Sequence, residues 1–350
     1  MERGVYEVKD SRTMNVSMEI ALERIRNCVN GKLDISRLRL TELPSLPAGL
    51  IELDCSQNDL TFLPSLPSSL LKLYCHTNQL TSLPELPSLT YIKCNNNHLT
   101  SLPSLPSSLI VLQCSKNLLA SLPELPDSLT DIICTHNRLT SLPTLPSTFL
   151  SLVCSYNQLT SLPELPSSLT DCICIHNQIT TLPSLPLSLY LLACCHNHLT
   201  SLPSLPDHLH VLMCMHNRLI TLPDLPDTLQ YLDCNTNHIR LLPSLPSSLI
   251  IMGCEKNPLE TLPELPSRLT RLSCELSMYH RTLELTHMTP ETVQTLNKDI
   301  QAWDSSLIQE SKERCMKRCA IYKEEIMMTV WHPRRVNILI EMGVDLESVM

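Results

Sequence analysis

The sequence predicts an α/β repeat solenoid: short parallel β-strands on a concave face, an extended polyproline-like convex side, and helical caps at both ends. Three observations carry that prediction. Cys55, Cys75, Cys94, Cys114, Cys134, Cys154, Cys174, Cys194, Cys214, Cys234, Cys254 and Cys274 recur every 20 residues, with one step of 19. An asparagine follows three residues after eleven of them. Of the 27 prolines, 24 fall in twelve Leu-Pro-x-Leu-Pro pairs, from Pro44/Pro47 to Pro263/Pro266. The chain is 43% hydrophobic yet only 3% aromatic, so its core must come from stacked leucines rather than from aromatic area.

The elements follow in order. Residues 1–29 form an N-terminal helical cap, since Ile20, Leu22, Ile25 and Val29 lie at near-helical spacing after position 13. Residues 30–277 form the array. Its first unit is degenerate, with Ile35 in the cysteine place and Leu38 in the asparagine place. Twelve units of L-x-x-L-x-C-x-x-N-x-L-x-x-L-P-x-L-P-x-x succeed it. In L-x-x-L-x-C the apolar residues alternate with variable ones, the period of a strand with one buried face. L-P-x-L-P cannot be helical, because proline lacks the donor and holds its predecessor extended. A lone unit cannot bury its leucines, and stacked units can.

Asn58, Asn78, Asn97, Asn117, Asn137, Asn157, Asn177, Asn197, Asn217, Asn237 and Asn257 have a structural role, since an amide that donates and accepts can satisfy backbone groups where the strand turns. Pro87-Ser88-Leu89 is one residue shorter than Pro67-Ser68-Ser69-Leu70, a deletion in the connection that spares the strand. Residues 278–350 form a helical C-terminal cap or docking module. Thr289-Pro290-Glu291 starts a helix to about Ser311, a second spans Lys312 to Val330, and Pro333 opens a last one ending near Gly343.

Twelve concordant units resemble the leucine-rich repeat family over roughly residues 30–275, with cysteine in the third apolar slot. The short unit with L-P-x-L-P is similar to the subclass found in YopM- and IpaH-type bacterial effectors, whose members begin with a helical cap. IpaH-type effectors add a large ubiquitin-ligase domain with a Cys-x-Asp nucleophile motif. Here only about 75 residues follow the repeats and no Cys-x-Asp occurs, so that activity is not implied. Trp331-His332-Pro333-Arg334-Arg335-Val336 resembles C-terminal segments of large DNA-virus proteins, and residues 336–345 resemble an ankyrin-repeat fragment. A bacterial effector and a large DNA virus both fit as the source.

The net charge of -9 argues against a nucleic-acid binder, and the acidic excess sits in residues 50–280. No apolar h-region and no run of about 18 apolar residues is present, so the chain reads as soluble, without signal peptide or membrane span. The 17 cysteines could form a disulfide framework, a metal store or buried thiols. Buried reduced thiols in a cytoplasmic protein, a host-cell cytoplasm included, are the expectation, because disulfide-dense domains are short and secreted. A metal patch at Cys195, His176, His196 and His216 is the sharper alternative, with Cys315, Cys319 and His332 a weaker one; no metal and no cofactor are expected. Walker, G-x-G-x-x-G and H-E-x-x-H motifs are absent, and no enzyme is expected.

The variable strand positions should face a partner protein. Ile133, Val153, Ile173, Ala193 and Met213 make an apolar stripe, read as exposed. Asp131, Asp171, Leu191, Val211 and Tyr231 run beside it, and His136, Tyr156, His176, His196 and His216 border its other side. Charging of the imidazoles is expected to weaken binding below about pH 6. The function expected is a non-enzymatic protein-interaction scaffold. The alternative is a substrate adaptor docking a ubiquitin ligase or another effector through the C-terminal helices.

Overall fold

Leucine and cysteine on one side of a strand only three residues long leave too little area to hold one turn. The fold therefore repeats the turn until the apolar sides stack. The computed structural model describes residues 11–276, 281–286, 289 and 292–294. The chain divides into two compact units at residues 149 and 150.

The first unit begins with α1 (Ser11–Arg26), followed by β1 (Lys32–Asp34), β2 (Glu52–Asp54), β3 (Lys72–Tyr74), β4 (Tyr91–Lys93), β5 (Val111–Gln113) and β6 (Asp131–Ile133). These strands pair in parallel, sequential order and in register, so that Leu33, Leu53, Leu73, Ile92, Leu112 and Ile132 form one column. All six are buried. α1 packs against β1, where Arg24 Nη1 donates to the Asp34 carbonyl at 3.0 Å and the Cys28 thiol donates to the Lys32 carbonyl at 3.2 Å. The helix differs from its prediction. Ile20, Leu22 and Val29 are exposed, and Ala21 is the buried residue, flanked by half-buried Met18 and Ile25. Apolar residues on two sides of this helix left its inward face ambiguous in sequence, and the small Ala21 permits the closer approach.

The second unit contains β7 (Ser151–Val153), β8 (Asp171–Ile173), β9 (Leu191–Ala193), β10 (Val211–Met213), β11 (Tyr231–Asp233), β12 (Ile251–Leu259), β13 (Arg271–Leu276) and β14 (Arg281–Thr286). β7 to β13 pair in parallel, and β13 then pairs with an antiparallel β14. The sequence reading placed no strand there. The period-two alternation of Arg281-Thr282-Leu283-Glu284-Leu285-Thr286 was the available signal. The helix start holds: the Thr289 hydroxyl accepts from the Thr292 amide at 3.2 Å, and Val293 N donates to the Thr289 carbonyl at 2.9 Å. The helices expected beyond residue 294, Cys315, Cys319, His332 and the tail resemblances lie outside the described residues.

Two ladders of side chains tie successive turns. The asparagines form the first. Asn78 Nδ2 donates to the carbonyls of Cys75 and, one turn back, Cys55, both at 3.1 Å, while Oδ1 accepts from Leu60 N at 3.0 Å. The same set recurs at Asn97, Asn117 and Asn137, and in the second unit at Asn177, Asn197, Asn217, Asn237 and Asn257. Asn58 serves the degenerate turn, bonding the Ile35 carbonyl and the amides of Leu38 and Leu40. Asn157 donates to the Cys154 carbonyl at 3.0 Å.

The second ladder went unread in the sequence. In many repeats a Ser or Thr just before the first apolar residue donates to the leucine carbonyl one turn back, as in Ser69 to Leu50 at 2.7 Å, Ser128 to Leu109 at 2.6 Å and Ser188 to Leu169 at 2.6 Å, whereas His208 and Arg268 stand in that place elsewhere. The return segments end in tight turns, with Leu70 N donating to the Pro67 carbonyl at 3.0 Å. In the shortened repeat, Leu89 N reaches the Pro87 carbonyl at 2.6 Å, so a turn one residue tighter absorbs the deletion and β4 keeps its register.

Candidate functional site

The three-residue strands β1 to β11 present their first and third residues to the side opposite the leucine column, and parallel register sets those residues in columns within each unit. On β2 to β5 they are Glu52, Asp54, Lys72, Tyr74, Tyr91, Lys93, Val111 and Gln113, all half-buried except the exposed Lys72. The rings of Tyr74 and Tyr91 lie 5.2 Å apart at 38°. Register places Lys72 between Glu52 and Tyr91, and Tyr74 between Asp54 and Lys93. Burial, then the Glu52 and Asp54 carboxylates, raise the Tyr74 phenol above its usual pKa, so it remains a neutral donor.

The predicted stripe behaves otherwise. Val153, Ile173, Ala193 and Met213 come together in adjacent registers of the second unit, but their relative exposures are 0, 1, 0 and 1%. Leu191, Val211 and Tyr231 are buried too, and so are Ile133 and Asp131 on β6 of the first unit. These residues are therefore not the exposed patch expected of them. Period-two alternation identifies which side of a strand a residue takes, and says nothing of whether that side meets water. Asp171 stays half-buried and accepts from the Thr170 hydroxyl at 2.9 Å.

The bordering column is where the structure adds most. Tyr156, His176, His196 and His216 stack in sequence, with centroids 4.4, 3.9 and 4.2 Å apart and planes within 20°. His136 occupies the equivalent place in the first unit. All five have φ between 52 and 55°. So do the other occupants, Gln57, Thr77, Asn96, Lys116, Thr236 and Lys256, to within a few degrees. This left-handed residue is held by backbone bonds to the next turn, such as His176 N to the Cys195 carbonyl at 3.0 Å and His196 N to the Met215 carbonyl at 2.9 Å. No run of glycines or asparagines marks the column in sequence, so residue type gave no signal.

Stacking removes water from both faces of the His176 and His196 rings. Burial first, then the neighbouring His176 and His216, lower the His196 imidazole to a pKa of about 4. Burial and His216 lower His176, and burial and Lys256 lower His216. His196 is thus neutral at pH 6, and with His176 and His216 also lowered the stack charges further into acid than the sequence suggested. Unfolded histidines take protons near pH 6.5, so a folded stack that refuses them loses stability as pH falls from 6.5 toward 4. Thermal melts at pH 7.5 and 5 check this. His196→Asn, which tolerates the left-handed backbone, should shrink the acid drop in midpoint by about 2 °C or more relative to the parent.

The ladder cysteines are free and buried. Burial pushes up the thiols of Cys55, Cys75, Cys94, Cys114, Cys134, Cys194, Cys214 and Cys234, to about 12 for Cys94 and Cys134, which makes them poor nucleophiles. Cys195 is buried while His176, His196 and His216 stack outward. Among the described residues no three His, Cys, Asp or Glu side chains are placed to hold a metal ion. Among them also, no helix is long and apolar enough to cross a membrane.

No family model matches the chain, and no curated protein matches it. Among solved structures it is similar to YopM, a leucine-rich effector protein from Yersinia pestis, at 36% identity over 74% of this chain and 82% of that one, with a TM-score of 0.64. It is similar to YopM from Yersinia enterocolitica WA-314 at 33% identity, over 74% and 77%, with a TM-score of 0.45. It is also similar to the LRR domain of a Shigella effector at 34% identity, over 45% and 76%, with a TM-score of 0.42.

Proposed function

Because the chain belongs to the leucine-rich repeat family, we propose that it is a non-enzymatic scaffold that holds a partner protein against its strand face. We place it in the short 20-residue subclass and, like the effectors it resembles, in a cytoplasm. The observation that carries this reading is the Tyr74–Tyr91 pair, half-buried on the strand face and set by register among Lys72, Lys93, Glu52 and Asp54. Tyrosines with an apolar body and a polar tip, ringed by charges of both signs, are what energetic centres of protein interfaces are made of. The Tyr156–His216 ring ladder offers a second accessible edge in the other unit. The buried stripe residues support the turns beneath it.

Capture from eukaryotic cytosol tests the reading, with three baits: the parent, Tyr74→Ala/Tyr91→Ala, and Leu187→Ser. Leu187 is 75% exposed on a return segment and serves as the control. A partner held by the parent and by the Leu187 variant, and weakened about tenfold or more by the double tyrosine variant, is the expected result. Equal capture by all three baits, each with a native melting profile, would show that the strand face is not the binding surface.

A further inference from the structure

An open cleft of about 450 Å³ lies where α1 meets the turns that follow β1, β2 and β3. The volume is that of a small-molecule pocket. Its charged lining is balanced, with Arg24 and Arg37 against Asp34 and Asp54. These groups are not equally committed. Arg24 is held by Asp34, its Nη1 3.0 Å from the Asp34 carbonyl and 3.8 Å from the carboxylate. Asp34 Oδ1 also accepts from Ser36 N at 2.9 Å. Asp54 uses one oxygen, Oδ1, for both Ser56 N at 2.9 Å and the Ser56 hydroxyl at 2.6 Å.

Three polar groups of the lining remain uncommitted. The Arg37 guanidinium, exposed and raised on a left-handed residue (φ 59°), makes no hydrogen bond or ion pair of its own among the described residues. Gln57 stands likewise on a left-handed residue (φ 53°), and no described residue bonds its side-chain amide. His76 is half-buried, and its Nδ1 is a fully buried polar atom with no partner. Leaving such an atom unpaired costs on the order of 1–3 kcal/mol. Burial and Lys93 lower the His76 pKa, with Asp54 opposing and Arg37 adding to the effect, which favours the neutral ring.

We propose that this cleft binds a small zwitterion of the free α-amino-acid class, its carboxylate on Arg37, its ammonium on Asp54, and its side chain against Gln57 and His76. A lining that carries both signs in equal number selects a ligand that does the same. An anion alone would meet Asp34 and Asp54, and a cation alone would meet the two guanidiniums. The site shares Asp54 with the strand face but neither of its tyrosines, and its ligand is a solute rather than a macromolecule.

The test uses the full chain and a panel of the common L-amino acids, each read by thermal shift and calorimetry. The tightest ligand is then compared with its deaminated acid, its decarboxylated amine and inorganic phosphate. At least one amino acid should bind with a Kd near or below about 1 mM, and the acid, amine and phosphate should bind at least about tenfold more weakly. Arg37→Asn keeps a residue that accepts the left-handed backbone, and Asp54→Asn keeps the Oδ1 acceptor for Ser56; each should lose about tenfold or more in affinity. His76→Leu removes the orphaned nitrogen, so it should weaken binding without lowering the thermal midpoint, a combination that a merely structural histidine would not give. No shift by any amino acid at about 10 mM overturns the proposal, as does an acid, amine or phosphate that binds as tightly as the zwitterion. Where a variant fails to fold, the ligand comparison on the intact chain decides alone.

Discussion

Asn197→Ala should cost about 3–5 kcal/mol. Asn197 Nδ2 donates to the carbonyls of Cys174 and Cys194, both at 3.0 Å, with Cys195 at 3.1 Å, and Oδ1 accepts from Ile179 N at 3.0 Å. The side chain is 5% exposed, so water cannot replace it without opening the turn. Alanine would leave the Ile179 amide buried and unpaired, which costs on the order of 1–3 kcal/mol, and would strip one of two donors from the carbonyls of Cys174 and Cys194, which keep Asn177 and Asn217, at about 1 kcal/mol each. Asn197→Asp should be no better. A carboxylate keeps the acceptor for Ile179 N, cannot donate to the carbonyls, and brings a charge into the core. Urea unfolding of the three proteins measures the losses. Amide exchange would show opening concentrated in the turns of β8 and β9, because repeat stability is carried by nearest neighbours. A loss under about 1 kcal/mol for alanine would mean that the backbone of the turn satisfies itself.

The degenerate first turn bears on this argument. Leu38 stands in the asparagine place, and among the described residues α1 rather than a strand precedes its turn. Such an amide has work on its N-terminal side only when another turn lies there, so the substitution is tolerable at the start and nowhere inside. Asn58, one turn later, supplies the bonds on both of its sides.

That asymmetry shows which parts of the fold a residue pattern can carry. The columns of Leu, Cys and Asn state their own environment, since each needs burial or a backbone partner at a fixed place. The deletion at Ser88 was equally readable, because a shortened connection with an intact strand pattern has one geometric solution. Environments built by convergence were not readable. Gln57, His176 and Thr236 share a left-handed backbone held by bonds to the next turn, and their side chains have nothing in common. Val153 and Met213 alternate as strand-face residues should, yet alternation does not report burial. Arg24 and His76 are 52 positions apart and meet at one cleft only because α1 packs on β1. Gly253 is a similar case. An added Cβ would lie 2.9 Å from Asn235 Nδ2 and 3.2 Å from Asp233 Oδ1, so its absence makes room for two neighbours' side chains.

One of those neighbours supplies the second large effect: Asp233→Asn should stabilise the chain by about 2 kcal/mol at pH 7.5. Asp233 is 7% exposed, and in sequence it was only a polar residue at the end of a column. Burial raises its pKa first, the Glu255 carboxylate adds to that, and a bond from Asn235 N opposes it; the result is about 6 against an ordinary 3.8. A folded-state pKa above the unfolded value means that the native state binds the proton more tightly. The group therefore costs nothing below about pH 4, and its full cost is present once pH has risen through 6. Asparagine carries no charge at any pH and keeps an oxygen for Asn235 N, now 3.1 Å away. The thermal midpoint of the variant should exceed the parent's by about 4–8 °C at pH 7.5 and converge with it near pH 4. The histidine stack pulls the other way, since it loses stability as pH falls from 6.5. In the parent the two slopes offset between pH 6 and 4, and the variant should show the steeper acid loss of the stack alone. Equal midpoints at pH 7.5 would mean that Asp233 meets enough water to ionise freely, and would remove the offset along with the gain.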